Sequence, residues 1–344
     1  MAAPADTSRR VDAATARRKE RAPSGGWRTI AAKEMSDHLE SIRFIVLLVI
    51  VGIAAIVPLY FVSTDISSAA PQVSGSPAIF MALFVGGSQT VGGVTTVAFA
   101  ALLVPLIGIA FGFDGINSER AQGTLSRLLA QPIHRDDVIN GKFAAGIAVI
   151  ALMLTVLITL VTALGIVRLA IIPSPEQLAR VVLWLFATIL YASFWLAFAL
   201  VLSVVIRGAA SAALVGFGTW LGLTVFGQFL LPLVANFFFP ATTTSSAALG
   251  VQYSSTQTSE IFLRLSPANL YQDIVQAIMN PTAKTVLDYG NVGQAISSQE
   301  QIPSLTSLDQ SILIVWPQIV ALVALTVAMF ALAYVLFLRQ EVRA

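Results

Sequence analysis

Six stretches of the chain are almost free of charge: Phe44 to Val62, Val94 to Phe113, Phe143 to Ile172, Val181 to Ile206, Ala212 to Phe239 and Ile312 to Leu338. Each is long enough, at roughly 20 residues, to cross a ~30 Å hydrocarbon core as a helix that bonds its own backbone. The pattern predicts six spans. Pro58, Pro105 and Pro232 fall inside three of them and are expected to kink their helices, each removing one backbone donor.

Two polar segments also carry a helical period. From Trp27 to Arg43, the residues Trp27, Ile30, Ala31, Met35, Leu39 and Ile42 share a face, with Arg28, Lys33, Glu34, Asp37 and Glu40 elsewhere. This predicts an amphipathic helix lying at the membrane interface, with Trp27 at headgroup level; docking of a partner is the compatible alternative. From Asp114 to Lys142, Asn117 or Ser118 can cap a short helix whose apolar stripe is Ala121, Leu125, Leu128 and Leu129; Pro132 ends it and Asp136 can cap the next helix. That stripe has no core of its own to cover it, so the helix lies on the membrane or packs into another protein.

The stretch from Pro240 to Ser311 is too polar to span. It gives one clear helix signal: Ser266 as cap, Pro267 at the first position, Leu270, Ile274, Ala277 and Ile278 at helical spacing, and Asn280-Pro281 as the stop. A small external cap is one reading, and a surface for cargo or for an extracytoplasmic partner is the other.

Composition fits the bilayer as solvent: 56% of the 344 residues are hydrophobic and 11% charged, with mean hydropathy +0.82, against roughly a quarter charged in soluble domains. Charge placement sets the expected orientation. With the N-terminus inside, the inner segments 1–43, 114–142, 207–211 and 339–344 hold 16 of the 20 Lys and Arg. The segment from Ser63 to Gly93 holds none, and 240–311 only Arg264 and Lys284. Both termini are therefore expected in the cytoplasm of a cell-membrane protein. Arg168 and Arg180 flank the short outer turn between spans three and four.

The basic stretch 1–26 lacks apolar periodicity and reads as a disordered tail near anionic lipid. It presents no basic folded face, so nucleic acid is not an expected partner. The start of the chain is also too long and too mixed in charge for a secretory signal, so the first span is expected to stay. There is no Cys, hence no disulfide and no thiolate site, and Met81 and Met279 are the only outer methionines, too few for a copper site.

In the inner connection, Glu119, Gly123-Thr124-Leu125, Pro132, Arg135 and Gly141-Lys142 fall in an order and spacing that resembles the ABC-2 type permeases. The helix with Trp27 and the Lys33-Glu34 pair is similar to that family's N-terminal elbow. Within the family, Pro105 through Phe143 most resembles permeases grouped with multicopper-enzyme maturation and nitrous oxide reductase. The specific likeness covers about 120 residues.

The resemblance implies an all-α membrane protein with six spans, in which 27–43 is the elbow, 44–239 carries spans one to five with the coupling loop 114–142, 240–311 is extracytoplasmic, 312–338 is span six and 339–344 returns to the cytoplasm. It implies a homodimer, or a pair with a close paralogue, each subunit holding a separate cytoplasmic ATPase that binds the ATP and Mg. The helix from Glu119 to Ala130 would be the coupling helix: Glu119 and Arg120 polar contacts at the rim, Leu125 and Leu128 an apolar anchor, with Gly123, Thr124, Pro132 and Arg135 completing the motif. Transport, in the export direction, would follow from closure of the ATPase pair.

The residues are consistent with that division of labour, because the chain has no Gly-x-x-x-x-Gly-Lys-Ser/Thr sequence and Gly141-Lys142 opens a span. It is thus not expected to be an enzyme, nor to hold a cofactor or metal. An ion-coupled secondary transporter, or a receptor or anchor without an ATPase, is the alternative; ion coupling usually needs Asp, Glu or His at membrane depth, and the six runs contain only Arg168, placed to snorkel. His38 and His134, the only histidines, are expected in solvent and suit no hydrolytic site.

Overall fold

The computed structural model describes residues 26–68, 79–87, 93, 95–124, 134–170, 172–227, 266–280 and 307–339, with single positions at 230, 233, 234 and 237. Among these residues there is no strand. The helices are α1 (Gly26–Leu39), α2 (Ile42–Ser68), α3 (Ile79–Val85), α4 (Thr96–Gly112), α5 (Asn117–Ala121), α6 (Arg135–Leu169), α7 (Pro175–Val205), α8 (Ala209–Trp220), α9 (Pro267–Met279) and α10 (Leu308–Arg339). A π-helical turn, Leu221–Phe226, prolongs α8.

Six of these elements are long and apolar enough to cross a membrane: Ile42–Ser68, Thr96–Ala121, Arg135–Leu169, Pro175–Val205, Ala209–Phe226 and Leu308–Arg339. They coincide with the six apolar runs, but several extend well past them because polar residues at helix ends keep helical backbone outside the apolar stretch. Pro58 and Pro105 lie inside α2 and α4 as expected, Pro317 lies inside α10, and Pro232 is outside the described residues.

The central element is α7, which packs against α4, α6, α8, α9 and α10. Its inner face runs Trp184, Thr188, Tyr191, Trp195 at helical spacing, all buried. The approach of α4 is close: a Cβ on Gly108 would lie 2.5 Å from the Ala192 carbonyl oxygen and 2.9 Å from the Leu196 nitrogen, so only glycine fits there. By contrast α2, α8 and α10 turn Ile45, Val49 and Ile53, Leu214 and Phe217, and Leu313, Trp316 and Val327 outward. Apolar faces of that size are stable in lipid, not in water.

The small residues of span five divide between two faces. Ala212, Gly216 and Trp220 face inward, Trp220 donating its indole N–H to the Leu102 carbonyl at 3.1 Å. Gly218 and Gly222 have no neighbouring atom within 4 Å of where a Cβ would stand.

The bundle has two differently built ends. At one, α1 lies across the start of α6, beside α5 and the C-terminus of α7. At the other, α9 is packed among α7, α10, α3 and α4. α9 starts after Ser266 and stops at Asn280, as its cap signals predict, although Ser266 makes no side-chain capping bond. Nine of the 13 residues of α9 are buried; Asn269, Asp273 and Gln276 are partly exposed and Gln272 is exposed. Residues 240–265 and 281–306, the tail 1–25 and residues 340–344 lie outside the described residues.

Candidate functional site

The end of the bundle formed by α1, α5 and α6 gathers most of the residues that the sequence singles out. Its foundation is apolar: Ile30 of α1, Ile116 before α5, Val138 and Ile139 of α6, Val204 of α7 and Phe337 of α10 form one buried cluster. Over this cluster α1 presses onto α6 at Gly141. A Cβ there would stand 2.7 Å from Ile30 Cγ2 and 2.9 Å from the Trp27 carbonyl oxygen, so the absent side chain sets how near the two helices come.

That approach leaves the next residue, Lys142, pointing between α1 and α5. Its side chain is only 5% exposed, and its Nζ donates to Glu34 Oε1 at 3.0 Å and to Glu119 Oε1 at 2.8 Å. Three elements distant in sequence are thus pinned by one ammonium. Charge-assisted bonds of this length are among the stronger ones in proteins, and a buried lysine demands such partners. Glu34 also meets Lys33 at 3.5 Å, and Lys33 bonds Asp37 at 2.9 Å on the exposed side of α1, contacts that raise the lysine pKa above its ordinary value.

The segment carrying Glu119 is itself fastened down. Ser203 of α7 accepts from the backbone N–H groups of Ile116 (2.9 Å) and Asn117 (3.2 Å). The Asn117 amide donates to the carbonyls of Phe113 (3.1 Å) and Ile206 (3.4 Å). Asn117 therefore ties α5 to α7 and does not cap it; the N-cap position is Ile116, and the Ser118 hydroxyl bonds back to the Asp114 carbonyl. Arg43 at the start of α2 forms an ion pair with Asp114 and lies over the Phe113 ring.

The helix expected from Glu119 to Ala130 does not run continuously. α5 ends at Ala121, and Gly123 takes a left-handed backbone (φ 68°), which glycine adopts without strain and which stops a helix. Thr124 is helical again, its hydroxyl bonding the Glu119 carbonyl at 3.2 Å. Leu125, Leu128 and Pro132 lie outside the described residues. α6 begins at Arg135, with His134 at its cap and Asp137, not Asp136, accepting from the His134 N–H at 3.3 Å.

Of the sequence-selected residues, Glu34 and Glu119 are brought together; Lys33 flanks them, and Trp27 stays partly exposed on α1. Arg120 is partly exposed on α5, and Arg135 is exposed at the start of α6. Sequence reasoning missed Lys142 as their common partner. A lone lysine within two turns of a span was the available signal, since such a charge must find a counter-ion or reach water.

His38 also departs from expectation. It is half-buried, its ring edge-on to Phe111 at 5.2 Å between centroids, and burial holds its pKa below the ordinary imidazole value against the opposing pull of Glu34 and Asp114. His134 is exposed, as expected.

Between α1 and α5 these charges line an open cleft of about 730 Å³, with Lys33, Asp37, Arg43, Asp114, Glu119 and Lys142 on its walls. The combination is a rigid, polar, inward-anchored seat at one end of a membrane-embedded bundle. His38, Ser41 and Ser118 also line the cleft, and among the described residues no cluster of metal-ligating side chains occurs.

The chain matches the model of the ABC-2 family transporter proteins over residues 28–342. It belongs to the ABC-2 transporter family. The match takes in α1, all six spans and the end that carries Lys142. A curated relative, the probable ABC transporter permease protein NosY of Stutzerimonas stutzeri, is 33% identical over 144 residues, 40% of this chain. The chain spans about half the length of that relative. As an ABC-2 family member with six membrane-length helices, the protein is a multi-pass membrane protein.

Proposed function

We propose that the chain is the permease subunit of an ABC transporter, in which a separate cytoplasmic ATPase binds ATP and Mg and drives export through the spans. The observation that carries this reading is the Lys142 bridge to Glu34 and Glu119. It makes α1, α5 and the start of α6 one rigid joint, so a push received near residues 119–135 is delivered to a 35-residue helix instead of being lost in a loop. Glu119 in this account holds the joint from within, and the surface for the ATPase is supplied by Arg120, Gly123, Thr124 and Arg135 together with Leu125, Leu128 and Pro132.

The working unit is a dimer of permeases with two ATPases. The open face of α8 around Gly218 and Gly222, beside exposed Leu214 and Phe217, supports close approach of a second permease copy in the membrane. The distribution of Lys and Arg supports an α1 end in the cytoplasm and α9 outside.

The test is to purify the tagged chain from native membranes in mild detergent. A stoichiometric ATPase should accompany it, and Thr124→Cys, in a chain otherwise free of cysteine, should cross-link to that ATPase. If no ATPase accompanies the chain at native expression, and uptake or efflux follows an ion gradient while ATP is depleted, the ion-coupled alternative replaces this reading.

A further inference from the structure

Several cations at the ends of the spans are neutralised from within the chain. Arg43 holds Asp114, Lys142 holds Glu34 and Glu119, and Arg180 holds Glu176. Arg168, in the last turn of α6, differs: it is exposed, and among the described residues it makes no ion pair with a carboxylate. Residues 63–93, which lead from the end of α2 to α4, contain a single acid, Asp65. At ~100° per residue Asp65 stands about 160° around α2 from Ser63, on a different face of that helix.

What Arg168 touches instead is neutral. Its Nε donates to Ser63 Oγ at 3.3 Å and its Nη2 to Thr64 Oγ1 at 3.2 Å, and the guanidinium lies over the Tyr60 ring, 4.8 Å from its centroid. Both hydroxyls are aimed by one group. Each donates its own proton to the Tyr60 carbonyl, at 2.7 Å from Ser63 and 3.0 Å from Thr64, and so turns lone pairs towards the arginine. These contacts fix the plane of the guanidinium while Nη1 and the second N–H of Nη2 stay unused. A planar cation held on one edge and one face, with its outer fork open, suits an oxyanion that accepts two parallel bonds.

Depth decides which oxyanion. At ~1.5 Å per residue, α2 rises about 32 Å from Arg43 to Thr64, close to the ~30 Å of a hydrocarbon core. With Arg43 in one headgroup layer, Arg168 stands in the other. Down α2 from Thr64, Tyr60, Val57 and Ile53 follow at helical spacing, all exposed. The open fork therefore sits at the top of an apolar strip that acyl chains cover, and a phosphate attached to such chains meets both features at once. A zwitterionic headgroup brings its own ammonium to compete for that phosphate, whereas an anionic one leaves the phosphate charge to the arginine.

We propose that Arg168, seated on Tyr60, Ser63 and Thr64, binds the phosphate of an anionic phospholipid and thereby fastens α2 to α6 at the membrane boundary. That this boundary is the outer one rests on the permease reading above; the site itself does not.

Phosphatidylglycerol is the probe. Native mass spectrometry of the purified full chain in mild detergent counts the lipids retained as phosphatidylglycerol or phosphatidylcholine is added, and melting temperature is followed in parallel. Wild type should prefer phosphatidylglycerol and be stabilised by it. Arg168→Gln should weaken that binding by roughly tenfold, as expected for loss of a charge-assisted contact at a partly wet site, and should abolish the stabilisation.

Two variants separate a shaped site from bare charge. Arg168→Lys keeps the cation but not the fork, and Thr64→Val keeps the arginine but removes one of the bonds that aim it; each should bind phosphatidylglycerol more weakly than wild type. Full binding by Arg168→Gln overturns the proposal, and so does wild-type affinity in both Arg168→Lys and Thr64→Val. Inorganic phosphate at millimolar concentration should not displace the lipid; if it does, the site takes the free anion and the lipid assignment falls. The assay needs neither ATP nor an ATPase, so its failure leaves the permease reading untouched, and loss of that reading leaves the lipid result standing.

Discussion

Replacing Lys142 by Met removes the single ammonium shared by Glu34 and Glu119. Their bonded oxygens, at 3.0 and 2.8 Å from Nζ, are then left within about 6 Å of each other with no cation between them. Breaking a buried pair by deleting one partner costs about 3 to 5 kcal/mol. Glu34 and Glu119 are 14% and 18% exposed, so some water reaches them, and the lower end, about 3 kcal/mol, is expected here.

Removing the charge altogether should be far milder. Lys142→Met combined with Glu34→Gln and Glu119→Gln leaves neutral amides at the same sites and should recover most of the loss, because buried ionic triads are often replaceable without net destabilisation. The assay is unfolding of the solubilised transporter by denaturant and by heat, with transport-coupled ATP hydrolysis measured alongside. Stability should return in the triple variant while coupling stays impaired, since the amides do not weld the three helices as the ion cluster does. A single variant within about 1 kcal/mol of wild type, or a triple variant no better than the single, would refute the reasoning.

Other perturbations separate the remaining contacts. Gly141→Ala should cost about 1 to 3 kcal/mol and expose α1 to limited proteolysis, because its methyl meets Ile30 and the Trp27 backbone. Tyr271→Phe leaves the Trp184 indole and the Thr188 hydroxyl without their shared partner and should lower thermal stability by about 1 to 3 kcal/mol. Arg43→Gln should cost no more than about 1 kcal/mol and less in high salt, as Arg43 is half exposed. His38 is held below the ordinary imidazole pKa, so its neutral form is favoured by folding; that contribution is intact above the ordinary value and is lost as pH falls towards the folded one. Melting curves between about pH 7.5 and about pH 5.5 should accordingly fall less steeply for His38→Gln than for wild type.

The spans were legible because hydropathy alone decides what can cross a bilayer, and α9 was legible because Ser266-Pro267 and Asn280-Pro281 punctuate a helical repeat. The depth at which α9 sits was not. Its polar residues, Asn269, Gln272, Asp273 and Gln276, made it look like a surface cap, yet its apolar face and Tyr271 are taken into the bundle by partners on α7 that no local pattern announces. The same limit applied at the other end. Glu34, Glu119 and Lys142 each belong to a stretch that resembles the family, but a linear motif does not say that the three side chains meet, and an ion cluster leaves no periodic trace. Gly123 was visible in the motif, while its role as a helix stop became apparent only from its positive φ.

The length of α6 has a further consequence. At ~1.5 Å per residue its 35 residues span about 52 Å, against a hydrocarbon core of ~30 Å. α7 with 31 residues and α10 with 32 are similarly oversized. A core of that thickness cannot cover any of these three helices along its whole length, so the rods must overhang or lean. The first two turns of α6, Arg135 to Lys142, carry the charged residues Asp136, Asp137 and Lys142 and are the natural overhang. Thicker or thinner lipid should therefore change the tilt of these rods, making the transporter's rate sensitive to acyl-chain length.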